Sequence, residues 1–311
     1  MIRTADGGTY IRRENGYGSA AIPRGRPGEE QVKMNIGIRL HDTKPGTLRE
    51  RLGYAREQGF SCVQLAMSKA VPGFSMAEAP KLLTRELAEE VKEELRRAEM
   101  ECAVLGCYLG LAVRDEEEAE KVREIYEAHL RFAGWIGAGC VGTETPSPEA
   151  GDGAACQTEE FYQLLLKRLK PIARTAEETG SLLAVEPVCS HIVYTPALAE
   201  RMLNDLDCGQ LRIILDAVNL LDSAHVGEAD AIIEEGIRRL GRETAVLHMK
   251  DYLPAPGKPR PQTLPCGKGQ MKYGPLLKLA REKNLPMTLE DTVPENAEET
   301  RIWLETAAKT V

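Results

Sequence analysis

Between residues 35 and 309 the chain repeats one alternation eight times: a short apolar run, then a longer stretch with helical periodicity. The apolar runs are NIGIRL (35–40), CVQLAM (62–67), CAVLGCYL (102–109), CVGTE (140–144), LLAVEPV (182–188), LRIILD (211–216), TAVLHMKD (244–251) and PMTLED (286–291). Runs this short and this apolar read as strands covered on both faces, as in a parallel sheet dressed with helices. The helical stretches are 47–59, 84–100, 116–137, 158–180, a helix opening at 196–203, 228–241, 273–284 and 295–309. Thr84 is placed to cap the second of these, and Gly59 suits the end of the first. Pro171 is expected to interrupt or kink the fourth.

Eight such units predict a (β/α)8 TIM barrel over residues 34–311. The competing architecture is an open, doubly wound sheet, which needs a glycine turn after a strand and before a helix to cradle a phosphate. GAGCVG (137–142) has the spacing but follows a helix and precedes a strand, the reverse order, so it reads as a helix stop followed by strand glycines. Residues 1–33 stand apart. TADGGTYIRRENGYGSAAIPRGRPGEE has no apolar period and reads as an N-terminal extension, either a flexible tail or an arm laid on a neighbouring subunit.

Composition narrows the function. Hydrophobic residues make up 42% and charged residues 28%, the balance of a soluble globular protein. A net charge of -8 argues against nucleic acid or an anionic membrane as the main partner. No apolar run approaches the ~20 residues that cross a bilayer, and the N-terminus lacks the apolar segment of a secretory signal. The eight cysteines are scattered without a C-x-x-C, as in a reduced, cytoplasmic protein.

Barrel enzymes place their chemistry at the carboxyl ends of the strands. Here those ends carry His41-Asp42, Lys69, Tyr108, Glu144, Glu186, Asp216, His248 and Glu290. Alternate strand residues share a face, which puts Ala184 with Glu186, Val246 with His248 and Lys250, and Thr288 with Glu290. Small or branched companions suit a barrel interior, so these tips are expected to point into the mouth. Any one of them alone reads as a solvated strand end. Four successive strands ending in Glu186, Asp216, His248 and Glu290 instead make a metal shell. Three carboxylates and an imidazole favour Mn²⁺, with Mg²⁺ and Co²⁺ as alternatives. Salt bridges to Lys250 or Arg212 are the competing explanation for the same residues.

The Glu–Asp–His–Glu order, carried by AVEP (184–187), ILDAVNLL (214–221), VLHMKD (246–251), CGKGQMKY (266–273) and TLED (288–291), resembles the xylose isomerase-like TIM barrel superfamily. Within it the likeness is to the sugar phosphate isomerase/epimerase branch and to ketose 3-epimerases. The resemblance implies a metal-dependent isomerase or epimerase that removes a proton beside a sugar carbonyl and passes through an enediolate. It further implies that Glu186 and Glu290, besides binding the metal, move the proton. The pattern departs from those epimerases in having Asn219 where they have His. Inosose dehydratases and metal-dependent C-glycoside deglycosidase subunits resemble it too, which keeps a lyase as the alternative. A non-catalytic sugar-binding or regulatory subunit is the alternative of a different class. The three-zinc endonucleases of the same superfamily fit poorly, since the chain has only five histidines.

Substrate contacts are expected from His41, Tyr108, Glu144, His191, Asn219, Lys250 and Lys268. For several of these a plainer role competes: a turn cap for His41, a loop cap for Glu144, a surface position for His191 and a solvated loop lysine for Lys268. The expected partner is a small-molecule sugar, with assembly as a homo-oligomer or with a small partner subunit.

Overall fold

The structure, a computed structural model, describes residues 34–310, so the extension expected over 1–33 lies outside the described residues. Its strands are β1 (Ile36–Arg39), β2 (Cys62–Leu65), β3 (Glu101–Gly106), β4 (Cys140–Glu144), β5 (Leu183–Glu186), β6 (Leu211–Asp216), β7 (Thr244–Met249), β8 (Asp251–Leu253), β9 (Gln262–Leu264) and β10 (Met287–Leu289). All but β8 and β9 are joined edge to edge in the closed order β1-β10-β7-β6-β5-β4-β3-β2. Every pairing in the ring is parallel. This is the (β/α)8 barrel that the alternation predicts. β8 and β9 form a separate antiparallel hairpin after the seventh barrel strand, which the sequence pattern did not reveal.

The helices are α1 (Leu48–Glu57), the one-turn α2 (Met67–Ala70) and α3 (Ala79–Leu82), α4 (Arg85–Arg97), α5 (Glu116–Ile136), α6 (Glu159–Thr179), α7 (Pro196–Leu206), α8 (Ala229–Leu240), α9 (Gly274–Lys283) and α10 (Ala297–Ala308). Five of them start on a side-chain cap: Thr47, Thr84, Asp115, Thr158 and Thr195 each accept the N–H of the residue three positions on. Each such cap stabilises its helix by ~1 kcal/mol. Gly137 ends α5 in the left-handed region, at φ 74°, so the glycine motif at 137–142 is the helix stop it was read as. α6 runs unbroken through Pro171, against the expected interruption. Buried side chains on both sides of the proline, Leu165 and Leu169 before it and Ile172 and Ala176 after it, anchor both halves of the helix in the core. Among the described residues no helix is long and apolar enough to cross a membrane.

Two apolar layers hold the barrel. The larger packs the outer strand faces against the helices. The smaller lies inside the ring and is built from Cys62, Val104, Cys140, Ala184, Ile214 and Val246. Gly142 leaves the space this layer needs, because a Cβ there would lie 2.6 Å from Val104 Cγ1 and 2.9 Å from Ile214 Cδ1. The inner layer matters to the site because its residues stand two positions before the charged strand ends: Ala184 before Glu186, Ile214 before Asp216 and Val246 before His248. The dry layer is therefore the floor on which the charged layer rests.

Candidate active site

Glu186, Asp216 and His248 come together at the mouth of the barrel. Each offers one ligand atom, and these atoms all lie within 4.8 Å of one another. All three are buried, at 1%, 1% and 2% exposure. Asp216 Oδ1 is fixed locally, since it accepts the N–H of Val218 (2.9 Å) and of Asn219 (3.0 Å), turning the chain back on the carboxylate. Its other oxygen, Oδ2, lies 2.8 Å from Lys250 Nζ without the alignment of a hydrogen bond. His248 is packed against two carboxylates. Nδ1 is 3.1 Å from Glu186 Oε2 and 3.3 Å from Glu290 Oε1, yet neither ring nitrogen has an aligned partner. Buried polar atoms are normally satisfied. Two unaligned ring nitrogens beside converging carboxylates, one of them ion-paired with Lys250, are a donor set that fits a divalent cation.

Glu290, the expected fourth ligand, stands at the edge of this cluster. Lys250 Nζ donates to its Oε2 (2.9 Å), and Arg39 Nη1 lies 3.5 Å from its Oε1. Burial alone would raise the Glu290 carboxyl, but the charges of Lys250, His248 and Arg39 outweigh it and hold the group ionised. Burial pushes Asp216 up to about 6, against the pull of Lys250. Burial also works against a charge on His248, but Glu186 and Glu290 override it and bring the imidazole to about 9. Lys250 stays a cation for the same reason, with Asp216 and Glu290 on either side.

The remaining expected contacts divide. Glu144 ends β4 in register with Glu186 on β5. Its carboxyl is pushed up to about 8, first by burial and then by Glu186 and Glu290. His191 is buried beside it, with Nδ1 3.6 Å from Glu144 Oε2, and burial lowers its pKa. Tyr108 lies beyond the end of β3, where its hydroxyl accepts from Gln64 Nε2 (2.7 Å). Asn219 was expected to meet substrate, but its amide is engaged at both ends: Nδ2 donates to Glu186 Oε1 and Oδ1 accepts from Arg260 Nη2, each at 2.5 Å. His41 sits in the turn after β1, 3.8 Å from Asp42, and Arg39 is the first-strand residue that reaches the cluster. Lys268 is not brought to the cluster; its ammonium donates to Glu299 Oε1 (2.7 Å) on the exposed face of α10. Lys69, noted at the second strand end, is exposed on α2.

Residues 52–307 match the family described as xylose isomerase-like TIM barrel. The chain belongs to that family. No curated protein sequence matches it significantly. Among solved structures, the barrel is similar to the apo form of 3-keto-D-glucoside 4-epimerase, YcjR, from E. coli, with 18% identity, a TM-score of 0.67, and 88% of this chain and 100% of that one covered. It is similar to the probable 3-DHS dehydratase AsbF from Bacillus anthracis, with 16% identity, a TM-score of 0.66, and 89% and 98% covered. It is also similar to a xylose isomerase-like TIM barrel protein from Mycobacterium smegmatis in complex with magnesium, with 19% identity, a TM-score of 0.63, and 89% and 96% covered. At these identities the likeness establishes the fold.

Three residues of this xylose isomerase-like mouth escaped the reading of the sequence. Gln64 is a buried polar side chain in the otherwise apolar CVQL, and its parity with Cys62 was a usable signal. Arg39 shares the inner face of β1 by the same parity. Arg260 carried no local signal, because it lies in a proline-rich segment that reaches the mouth only through the β8–β9 hairpin.

Proposed function

We propose that this protein is a divalent-metal-dependent enzyme that acts on a sugar or sugar derivative by removing a proton from the carbon beside a carbonyl, in an isomerisation or epimerisation. The observation that carries the reading is the buried Glu186–Asp216–His248 cluster, in which neither ring nitrogen of His248 makes an aligned hydrogen bond among the described residues. These residues, with Glu290 beside them, would hold the ion. An oxygen-rich set of this kind suits Mn²⁺ or Mg²⁺. A bound divalent ion supplies a Lewis acid for the carbonyl and its neighbouring hydroxyl oxygen, which makes the adjacent C–H acidic enough to lose.

The protein's own residues do the rest. Glu290, kept ionised by Lys250, is ready to take a proton. Glu186 is held at Oε1 by Asn219, which orients the carboxylate, and in this scheme it is the second proton carrier. A carboxylate on each side of the planar enediolate returns the proton to either face. The dry floor of Ala184, Ile214 and Val246 keeps water from below. A likeness to both an epimerase and a dehydratase is consistent with this shared first step. Elimination is the second reading, and Glu144 favours it: burial raises its carboxyl, and it ends β4 in register with Glu186, where a protonated carboxyl could donate to a leaving hydroxyl.

The test is incubation of the Mn²⁺-loaded protein with ketoses, 3-keto-sugars, inososes and 3-keto-glycosides in D₂O, followed by NMR. Deuterium should enter the carbon beside the carbonyl. In Glu186→Gln and Glu290→Gln full turnover should vanish, while each variant still exchanges the proton of one epimer. Normal turnover by either variant rules out the two-carboxylate scheme. A dehydrated or deglycosylated product moves the reaction to the lyase class.

A further inference from the structure

Asn219 is the hinge of a short chain of hydrogen bonds that runs from the surface of the barrel mouth to Glu186. Arg260 Nη2 donates to Asn219 Oδ1, and Asn219 Nδ2 donates to Glu186 Oε1, both at 2.5 Å. The two bonds fix which way the amide faces. Turned over, it would put a carbonyl oxygen against a carboxylate and an NH₂ against a guanidinium, so that both contacts become repulsive.

Arg260 lies between β8 and β9, in a segment that leaves the barrel after Lys250 and comes back over the mouth. That segment is tied down independently of the arginine. Ser223 N–H donates to Pro259 O (3.1 Å), which fastens it to the loop after β6. The buried Asp251 carboxylate accepts the N–H groups of Tyr252 (2.8 Å), Met271 (2.8 Å) and Gly267 (3.0 Å), which gathers both ends of the hairpin. The hairpin thus presents one cation to the amide of a residue that itself grips Glu186.

We propose that Arg260 is a positioning residue that acts on Glu186 through Asn219. It locks the Asn219 amide so that Nδ2 holds Glu186 Oε1, which leaves Oε2 turned toward His248, 3.1 Å from Nδ1. The consequence for ligand binding rests on the reading of Glu186 as a metal and proton-carrying residue. The relay itself rests on the two hydrogen bonds.

Titration calorimetry with Mn²⁺ on the full chain tests it, using wild type, Arg260→Met, Arg260→Lys, Asn219→Ala and the double variant Arg260→Met/Asn219→Ala. Loss of a residue that orients a metal ligand weakens metal binding by roughly tenfold or more. Arg260→Met and Asn219→Ala should each show a loss of that size, and Arg260→Lys should recover part of it by donating to the same amide oxygen. The double variant should bind no more weakly than Asn219→Ala, because both changes break one chain of contacts. Wild-type affinity in Arg260→Met, or losses that multiply in the double variant, would overturn the relay. Crystal structures of wild type and Arg260→Met decide it separately from any metal. The relay requires the Asn219–Glu186 contact to open or rotate in the variant, and an unchanged contact refutes it. If the wild type binds no Mn²⁺, the metal reading fails and the crystal comparison alone judges the relay.

Discussion

The barrel mouth and the outer helical shell are built from the same charged residues and use them in opposite ways. On the shell, Glu116 of α5 pairs with Lys167 and Arg168 of α6, and Glu159 pairs with Arg201 of α7, with most of these side chains open to water. At the mouth, Lys250 sits between Asp216 and Glu290, and the three side chains are only 6%, 0% and 9% exposed. Exposed pairs contribute little to stability. Buried charges carry a desolvation cost that pairing seldom recovers, so a buried set that also leaves donor atoms unsatisfied is not explained by folding. The contrast points to the mouth as the candidate site: charge on the shell is solvated, and charge at the mouth is buried and gathered in one cluster.

The contrast breaks first at Lys250. Removing the cation strands two buried carboxylates, so Lys250→Met should cost about 3–5 kcal/mol in urea unfolding of metal-free protein. A loss no larger than that of a shell variant would mean the mouth is as well solvated as the surface. Added Mn²⁺ should restore part of the stability, because a ligand that binds only the folded state stabilises it by mass action.

A smaller effect comes from His129, buried in α5, whose Nδ1 bonds the Ile125 carbonyl (2.8 Å) while Nε2 has no partner among the described residues. Burial lowers its pKa from 6.5 to about 4. The unfolded chain therefore binds a proton at a pH where the folded chain does not. The neutral core histidine contributes stability that is complete above pH 6.5 and is lost as pH falls toward 4. Unfolding midpoints measured from pH 7 to 4.5 should show a shallower decline in His129→Gln than in wild type, and identical slopes would rule this out. The smallest effect belongs to the shell. Glu116→Gln removes two ion pairs and should leave the unfolding midpoint unchanged within error, and a marked drop would erase the contrast from the other side.

What was legible in the sequence follows the same division. Strand ends can be read because an apolar run that stops on a carboxylate is visible within six residues, and parity then gives the face. Glu186, Asp216 and Glu290 were placed at the mouth in this way, His248 by its parity with Val246 and Lys250, and Glu144 beside Glu186; their roles remain a proposal. Contacts made by loops were not legible. Lys268 and Arg260 are both cations in glycine- and proline-rich segments after the seventh strand, yet one pairs outward with Glu299 and the other turns inward to Asn219. Only the path of the β8–β9 hairpin separates them. Asn219 looked like a substrate contact because its spacing from Asp216 was visible and the arginine that occupies its carbonyl was not. At Pro171 the expected interruption is absent, since local helix-breaking chemistry yields when both flanks of the helix are buried.

The central claim is that the mouth is a divalent-metal site whose donors are Glu186, Asp216 and His248. Titration of the metal-free protein with Mn²⁺, compared with Asp216→Asn, tests it most directly. That substitution removes one charged oxygen and keeps the shape of the side chain. The account predicts one Mn²⁺ per wild-type chain and loss of most of the affinity in Asp216→Asn. Equal affinity in the two proteins, or no binding to the wild type, would contradict it.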